Sequence, residues 1–315
     1  MELDVSGDGV KIDFSKLAGI TLRHTDLFLI GDAHHRATKL QEFIFDRKNV
    51  AACAEAGATH MMVELGADQG WILDAYFKNG SFDDVVKAMY KREEFKWSIP
   101  IDEETFLKTL QLPEMQPYMK PALDKFERYK NAYIEGLQVH PVDSETERDK
   151  DTIDESKLSE DELVKRLADR LMLDGELYKN IRQALPEGEK AVAVYGSAHG
   201  SRMNDGLDDS LGLPAIKITV YRDAADYFED LINYDDLNRR VDRALPGNDL
   251  TFGEDPPHAI YIMDTGTAYF TAKSSADFML DVQKAGTSAP PLENQPELPE
   301  LLTPAAPSGP QGPKR

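Results

Sequence analysis

The chain reads as an α/β protein built on a mostly parallel sheet with helices on both faces. Three observations predict this. Short apolar runs bounded by glycine recur along the 315 residues, and helical spacing fills the intervals between them. Within each run the apolar residues are consecutive rather than alternating, the pattern of a strand covered on both sides. Several runs close on His, Asp or Glu, and in an open parallel sheet ligands and reacting groups gather at the carboxyl ends of the strands.

Taken in order, Val10 to Phe14 predicts a short edge strand and Leu27 to Ile30 the first core strand. Leu40, Phe43, Ile44 and Val50 recur at helical spacing across 39–56. Met61 to Leu65 is the second core strand, followed by a helix around Ile72 to Phe77. From Phe82 to Tyr133 the pattern stays helical but is broken by Pro100, Pro113, Pro117 and Pro121, which predicts a helical insertion over about 80–135, carrying Trp71 and Trp97. Such an insertion commonly screens a site from water. Leu137 to Asp143 reads as a third strand, Ser144 to Ser156 as a charged loop, and Leu163 to Leu185 as an amphipathic helix stopped by Pro186-Glu187-Gly188. Ala191 to Tyr195, Ala215 to Tyr221 and Ala259 to Met263 supply the later strands. These elements are expected to form one domain over 1–285. Beyond it, eight prolines from Pro290 to Pro313 sit among Ser, Gly, Glu and Gln, so 286–315 is expected to be a disordered tail that buries too little apolar surface to order itself.

Composition narrows the function. A formal charge of −21 argues against nucleic acid, whose phosphates need clustered Lys and Arg, and against anionic membrane surfaces. No run reaches the length of a membrane span, and the amino terminus lacks a basic segment followed by an apolar one, so a cytoplasmic protein is expected. Cys53 is the sole cysteine, which excludes an intrachain disulfide and a cysteine-based zinc site; at a helix end it reads as a buried structural thiol.

The chemistry-bearing residues fall at strand ends. Asp32, His34 and His35 follow a glycine turn after the first strand, Glu64 closes the second, and His199 follows Gly196 after a later one. Imidazoles and carboxylates at one sheet edge can move protons or ligate a metal, and Asp32 can instead orient an imidazole through its ring N–H. His140 and Asp143 end the third strand and Arg148 opens the charged loop, making them secondary candidates; Arg148 could bind an anionic group. Around Ser197 the positions that a nucleophile elbow needs as glycine hold Tyr195 and His199, which disfavours a serine hydrolase. His24, His60 and His258 show no partner pattern and read as structural or surface residues.

The order Gly-Asp-x-His, strand-end Glu, Gly-x-x-His resembles the erythromycin esterase/ChaN-like superfamily, which also takes in Tiki and TraB proteins. The likeness is nearest to the ChaN-like haem-binding branch. It rests on Gly31-Asp32-Ala33-His34-His35 followed by Gln41, with Asp32 where that branch has Glu. Met62-Val63-Glu64 followed by Gln69, the passage from Tyr118 to Asp143, and Gly196 to His199 complete it. In the esterase branch the first histidine falls one place later, so both His34 and His35 stand as candidates.

The resemblance implies an α/β sheet with the polar cluster at its strand ends. The leading expectation is a hydrolase acting on a small-molecule substrate, with Asp32, His34 or His35, Glu64 and His199 activating water directly or through a divalent metal of unspecified identity. The second is a non-enzymatic haem- or iron-binding protein with His34 and His35 as axial ligands. The third is an effector or interaction protein with a degenerate site, whose proline-rich tail engages a protein partner.

Overall fold

The computed structural model describes residues 5, 8–32, 38–66, 70–79, 83, 102–110, 112–114, 116–143, 158–159, 162, 174–196, 202–203, 213–244, 250–251 and 257–292. Strands β1 (Asp8–Lys11), β2 (Leu27–Asp32), β3 (Ala58–Gly66), β4 (Gln138–Asp143), β5 (Lys190–Gly196), β7 (Ala215–Tyr221), β9 (Ala259–Ile262), β10 (Thr267–Phe270) and β11 (Thr287–Pro291) make a 9-stranded sheet in the order β11-β1-β10-β9-β7-β2-β5-β3-β4. The run from β9 to β4 is parallel throughout, whereas β10, β1 and β11 extend it by antiparallel pairing. β6 (Arg202–Met203) and β8 (Leu250–Thr251) pair separately. The predicted mostly parallel sheet is therefore what forms.

Helices α1 (Phe14–His24), α2 (Thr38–Ile44), α3 (Arg47–Glu55), α4 (Gly70–Asn79), α5 (Glu103–Leu110), α6 (Gln116–Ile134), α7 (Asp174–Ala184), α8 (Ala224–Ala244) and α9 (Ala276–Ala285) surround it. Alternation along each strand sends residues to opposite faces. Phe28, Ile30, Met61, Val63, Val192 and Val194 pack with Leu17 of α1, Val50 and Cys53 of α3 and Phe126 and Tyr129 of α6. Leu27, Leu29, Met62, Ala193 and Tyr195 pack instead with Leu177 and Ile181, one turn apart on α7. Cys53 is buried as expected, and burial pushes its thiol up to about 12.

Local chemistry places the ends of several elements. Asp13, Asp46 and Ser275 cap α1, α3 and α9 by accepting the N–H of Ser15, Lys48 and Phe278. Gly57 and Gly136, at φ 97° and 87°, turn α3 into β3 and α6 into β4 through the left-handed region that a side chain disfavours.

Several boundaries differ from expectation. The first strand ends at Lys11 and Phe14 opens α1, because the Asp13 cap starts a helix there; β11 then covers β1, so β1 is not an edge. The periodicity over 39–56 divides into α2 and α3 at Asp46. Trp71 belongs to α4 rather than to the inserted helices, and Trp97 lies outside the described residues. The part of the expected tail at Thr287–Pro291 is strand: an outermost strand tolerates proline because one side of its ladder needs no donor. Residues 293–315, 163–173 and 144–156 lie outside the described set.

Candidate functional site

Strand order decides which residues meet. β5 lies between β2 and β3, so its last residue, Gly196, has β2 on one side and β3 on the other. Asp32 is in register with Gly196 on the β2 side. On the β3 side the Glu64 carboxylate accepts the Gly196 N–H at 2.8 Å. Two acidic side chains from distant parts of the chain thus flank one backbone position at the carboxyl edge of the sheet. Asp143 ends β4 opposite Gly66 and brings a third acid to the same edge.

Asp32 is wholly buried. It follows the phase of Phe28 and Ile30, which turns it toward the α1–α3 face, where Gln41 of α2 donates its side-chain N–H to the carboxylate. A buried carboxylate without such donors would have its charged form disfavoured, so the amide is part of the site.

The cations come from α6. Lys125 donates from Nζ to the Glu64 carbonyl at 2.7 Å, tying the helix to the end of β3. Burial draws its ammonium below the usual lysine range, while the charges of Glu64 and Asp143 oppose that shift. Tyr129, one turn on and only 2% exposed, has its phenol pushed up by burial and then by Glu64, with Asp32 and Asp143 adding to the effect. One hydroxyl therefore lies in the field of all three acids. Arg128 neighbours both Lys125 and Tyr129 and opposes the upward shift of the phenol.

A cavity of about 600 Å³ is lined by Phe14, Phe43 and Tyr261 together with Asp13, Glu42 and Lys48, and none of Asp32, Glu64, Asp143, Lys125 or Tyr129 lines it. Its aromatic wall is a stack, with the Phe43 and Tyr261 rings 5.9 Å apart and 16° from parallel. α2 borders both places, since Gln41 reaches Asp32 while Glu42 and Phe43 line the cavity.

Asp32 and Glu64 lie on either side of Gly196, and Asp143 ends β4 at the same edge. His140 does not. It pairs with Met62 well short of the edge, and its Nε2 lies 2.9 Å from Nδ1 of the buried His60. His60 in turn presents Nε2 to Glu189 at 2.6 Å, and Glu189 also accepts from Thr59. His60 therefore has the partners that its sequence context did not reveal. His24 pairs with Asp281 at 3.0 Å, and His258 Nδ1 accepts the Lys217 N–H at 3.0 Å, so both have structural roles. His34, His35, Arg148 and His199 lie outside the described residues. Among the described residues no group of three or more His, Cys, Asp and Glu side chains is arranged to hold a metal ion.

Sequence reasoning missed Lys125, Arg128 and Tyr129. Their signal was the i, i+3, i+4 spacing, which puts all three on one face of α6.

No family model matches the chain, and no curated protein matches it. Solved structures do. The type III effector HopBA1 is similar at 18% identity and a TM-score of 0.42, over 70% of this chain and 89% of the effector. A structure of bacterial protein toxins is similar at 22% identity and a TM-score of 0.39, over 65% of this chain but only 36% of the toxin chain. ChaN of Campylobacter jejuni, described with cofacial haem binding, is similar at 14% identity and a TM-score of 0.39, over 68% of this chain and 91% of its own.

Proposed function

We propose that the chain is a hydrolase whose water is activated by carboxylates and imidazoles at the carboxyl edge of the sheet. The observation that carries the reading is the Gly196 amide, which holds the Glu64 carboxylate beside the register position of Asp32. A carboxylate fixed by a backbone N–H is a positioned base, able to take a proton from water as its oxygen attacks an acyl or phosphoryl centre. The leaving group then needs a proton, which an imidazole supplies. His34 follows Asp32 by two residues and His199 follows Gly196 by three in the sequence, and these are the imidazoles assigned that role. Lys125 spends one of its three donors on the Glu64 carbonyl, and the remaining two can stabilise developing negative charge.

The test is turnover of ester, amide and phosphoester panels with and without a chelator. Glu64→Gln and His199→Ala are expected to reduce a confirmed activity by roughly 10²- to 10⁴-fold. Full activity in both variants overturns the assignment, and loss on chelation assigns a divalent metal to the same residues. Hemin titration tests the second reading: a saturable shift of the Soret band, lost in a His34/His35 double variant, identifies a haem binder.

A further inference from the structure

The cations of α6 are not equivalent. Lys120 pairs with Asp124 at 2.5 Å, Lys125 donates to the Glu64 carbonyl, and Lys130 lies 5.4 Å from the centre of the Tyr76 ring. Arg128 does none of these things. Its Nε is buried and has no hydrogen-bond partner, and among the described residues its guanidinium makes no ion pair. The chain has 57 acidic residues against 36 basic ones, so a shortage of acids does not explain this. Nor does remoteness, because Lys125 and Tyr129 on either side of it both sit in the field of Glu64 and Asp143. A donor shielded from water and left unpaired is unfavourable, and natural structures rarely keep one without a use.

We propose that Arg128 is the anion-recognition residue of this edge, and that the substrate carries an oxyanion, carboxylate or phosphate, which the guanidinium grips with Nε as one prong. Arginine fits this task because its donors form a rigid planar fork matching two oxygens of such a group. Lys125 is the second attraction: with one proton engaged at Glu64, its ammonium still faces the same region, and an anion between the two cations relieves their mutual repulsion. The bound group would lie beside Glu64 and hold the reacting centre near that carboxylate. Arg128 would thus set substrate class rather than perform the proton transfer. Calling the ligand a substrate rests on the hydrolase reading; the binding of an anion does not.

The full chain is titrated with inorganic phosphate and with citrate at constant ionic strength, sodium chloride serving as the control, and binding is followed calorimetrically. Saturable binding of at least one anion is expected, weakened about 10- to 100-fold in Arg128→Gln and partly recovered in Arg128→Lys. Which anion binds more tightly tells a phosphate ligand from a carboxylate one. Binding unchanged in Arg128→Gln, or no saturable binding of either anion to the native chain, overturns the proposal. A second arm compares neutral and anionic members of matched ester pairs. Hydrolysis that favours the anionic member through KM, with the preference lost in Arg128→Gln, supports the proposal. Equal hydrolysis of both members removes Arg128 while leaving the hydrolase intact. Anion binding without any hydrolysis removes the hydrolase while leaving Arg128.

Discussion

The two polar clusters of this sheet sit at opposite ends of the same strands and are built differently. Near the amino-terminal ends of β3, β4 and β5, Glu189, His60 and His140 form a chain of hydrogen bonds. Glu189 is held below the usual carboxylate range by Thr59 and then by His60, so it accepts and His60 Nε2 carries a proton. His60 Nδ1 and His140 Nε2 share the second hydrogen bond of the chain. At the carboxyl ends, Asp32 and Glu64 also have donors, but Arg128 remains open. In the first cluster both nitrogens of the buried His60 ring are bonded and brace three strands, whereas in the second a buried guanidinium nitrogen keeps an unspent donor beside fixed acids. Ionisable residues alone do not identify a site; their unused valence does.

Four measurements break or sharpen this contrast. The largest effect is expected on activity. Glu64→Gln should lower hydrolysis by about 10²- to 10⁴-fold while unfolding with nearly native stability, and His60→Ala should do the reverse. A Glu64 variant that unfolds readily but keeps full turnover per folded molecule would exchange the two roles. Next, His60→Ala should remove about 1–3 kcal/mol of stability in urea, because a buried ring is lost and His140 is left without its partner.

The third effect is on pH dependence. Burial and then the neighbouring His60 hold the His140 imidazole below its usual value of 6.5. In the interval between that value and the lowered one, the unfolded chain binds a proton that the folded chain refuses. The contribution of the neutral ring is therefore complete above pH 6.5 and declines as the pH falls through this interval. Urea midpoints should drop on going from pH 7.5 to 5.5, and His140→Gln should flatten that drop; an identical slope in the variant would remove the relay from the account. The smallest effect is coupling. His60→Ala and His140→Ala should couple by about 0.5–1.5 kcal/mol in a double-mutant cycle, whereas His60→Ala and Glu64→Gln should add to within about 0.5 kcal/mol. Strong coupling in the second pair would join the two clusters into one network.

What was legible in the sequence follows the same division. Val63-Glu64 and Gly31-Asp32 could be read because a strand end is a local event: the apolar run stops and an acid appears. That both acids meet at Gly196 depends on β5 lying between β2 and β3, and no local pattern encodes strand order. The bond between His60 and His140 was hidden for a related reason. It arises from the β3–β4 register, in which His60 opposes Gln138 and Met62 opposes His140, and register belongs to the pair of strands. Lys125 and Arg128 were passed over because charges on a helix ordinarily form a solvated face, and only the packing of α6 across the end of β3 turns that face inward. Thr287–Pro291 was assigned to the tail because its prolines resemble linker composition; an outermost strand is the exception, and position in the sheet cannot be read from composition.

The placement of β5 also bears on how the molecule is made. β2 and β3 are synthesised long before Lys190, yet they are not neighbours in the finished sheet, since a later strand fills the space between them. On the ribosome the early strands must stay apart, or part again, until β5 arrives. The pairings of Leu27 with Ala191 and Met61 with Val192 bridge long stretches of chain, the kind of contact that slows folding and leaves strand edges exposed while it is awaited. A nascent chain stalled before Lys190 would lack Gly196, and with it the amide that fixes the Glu64 carboxylate.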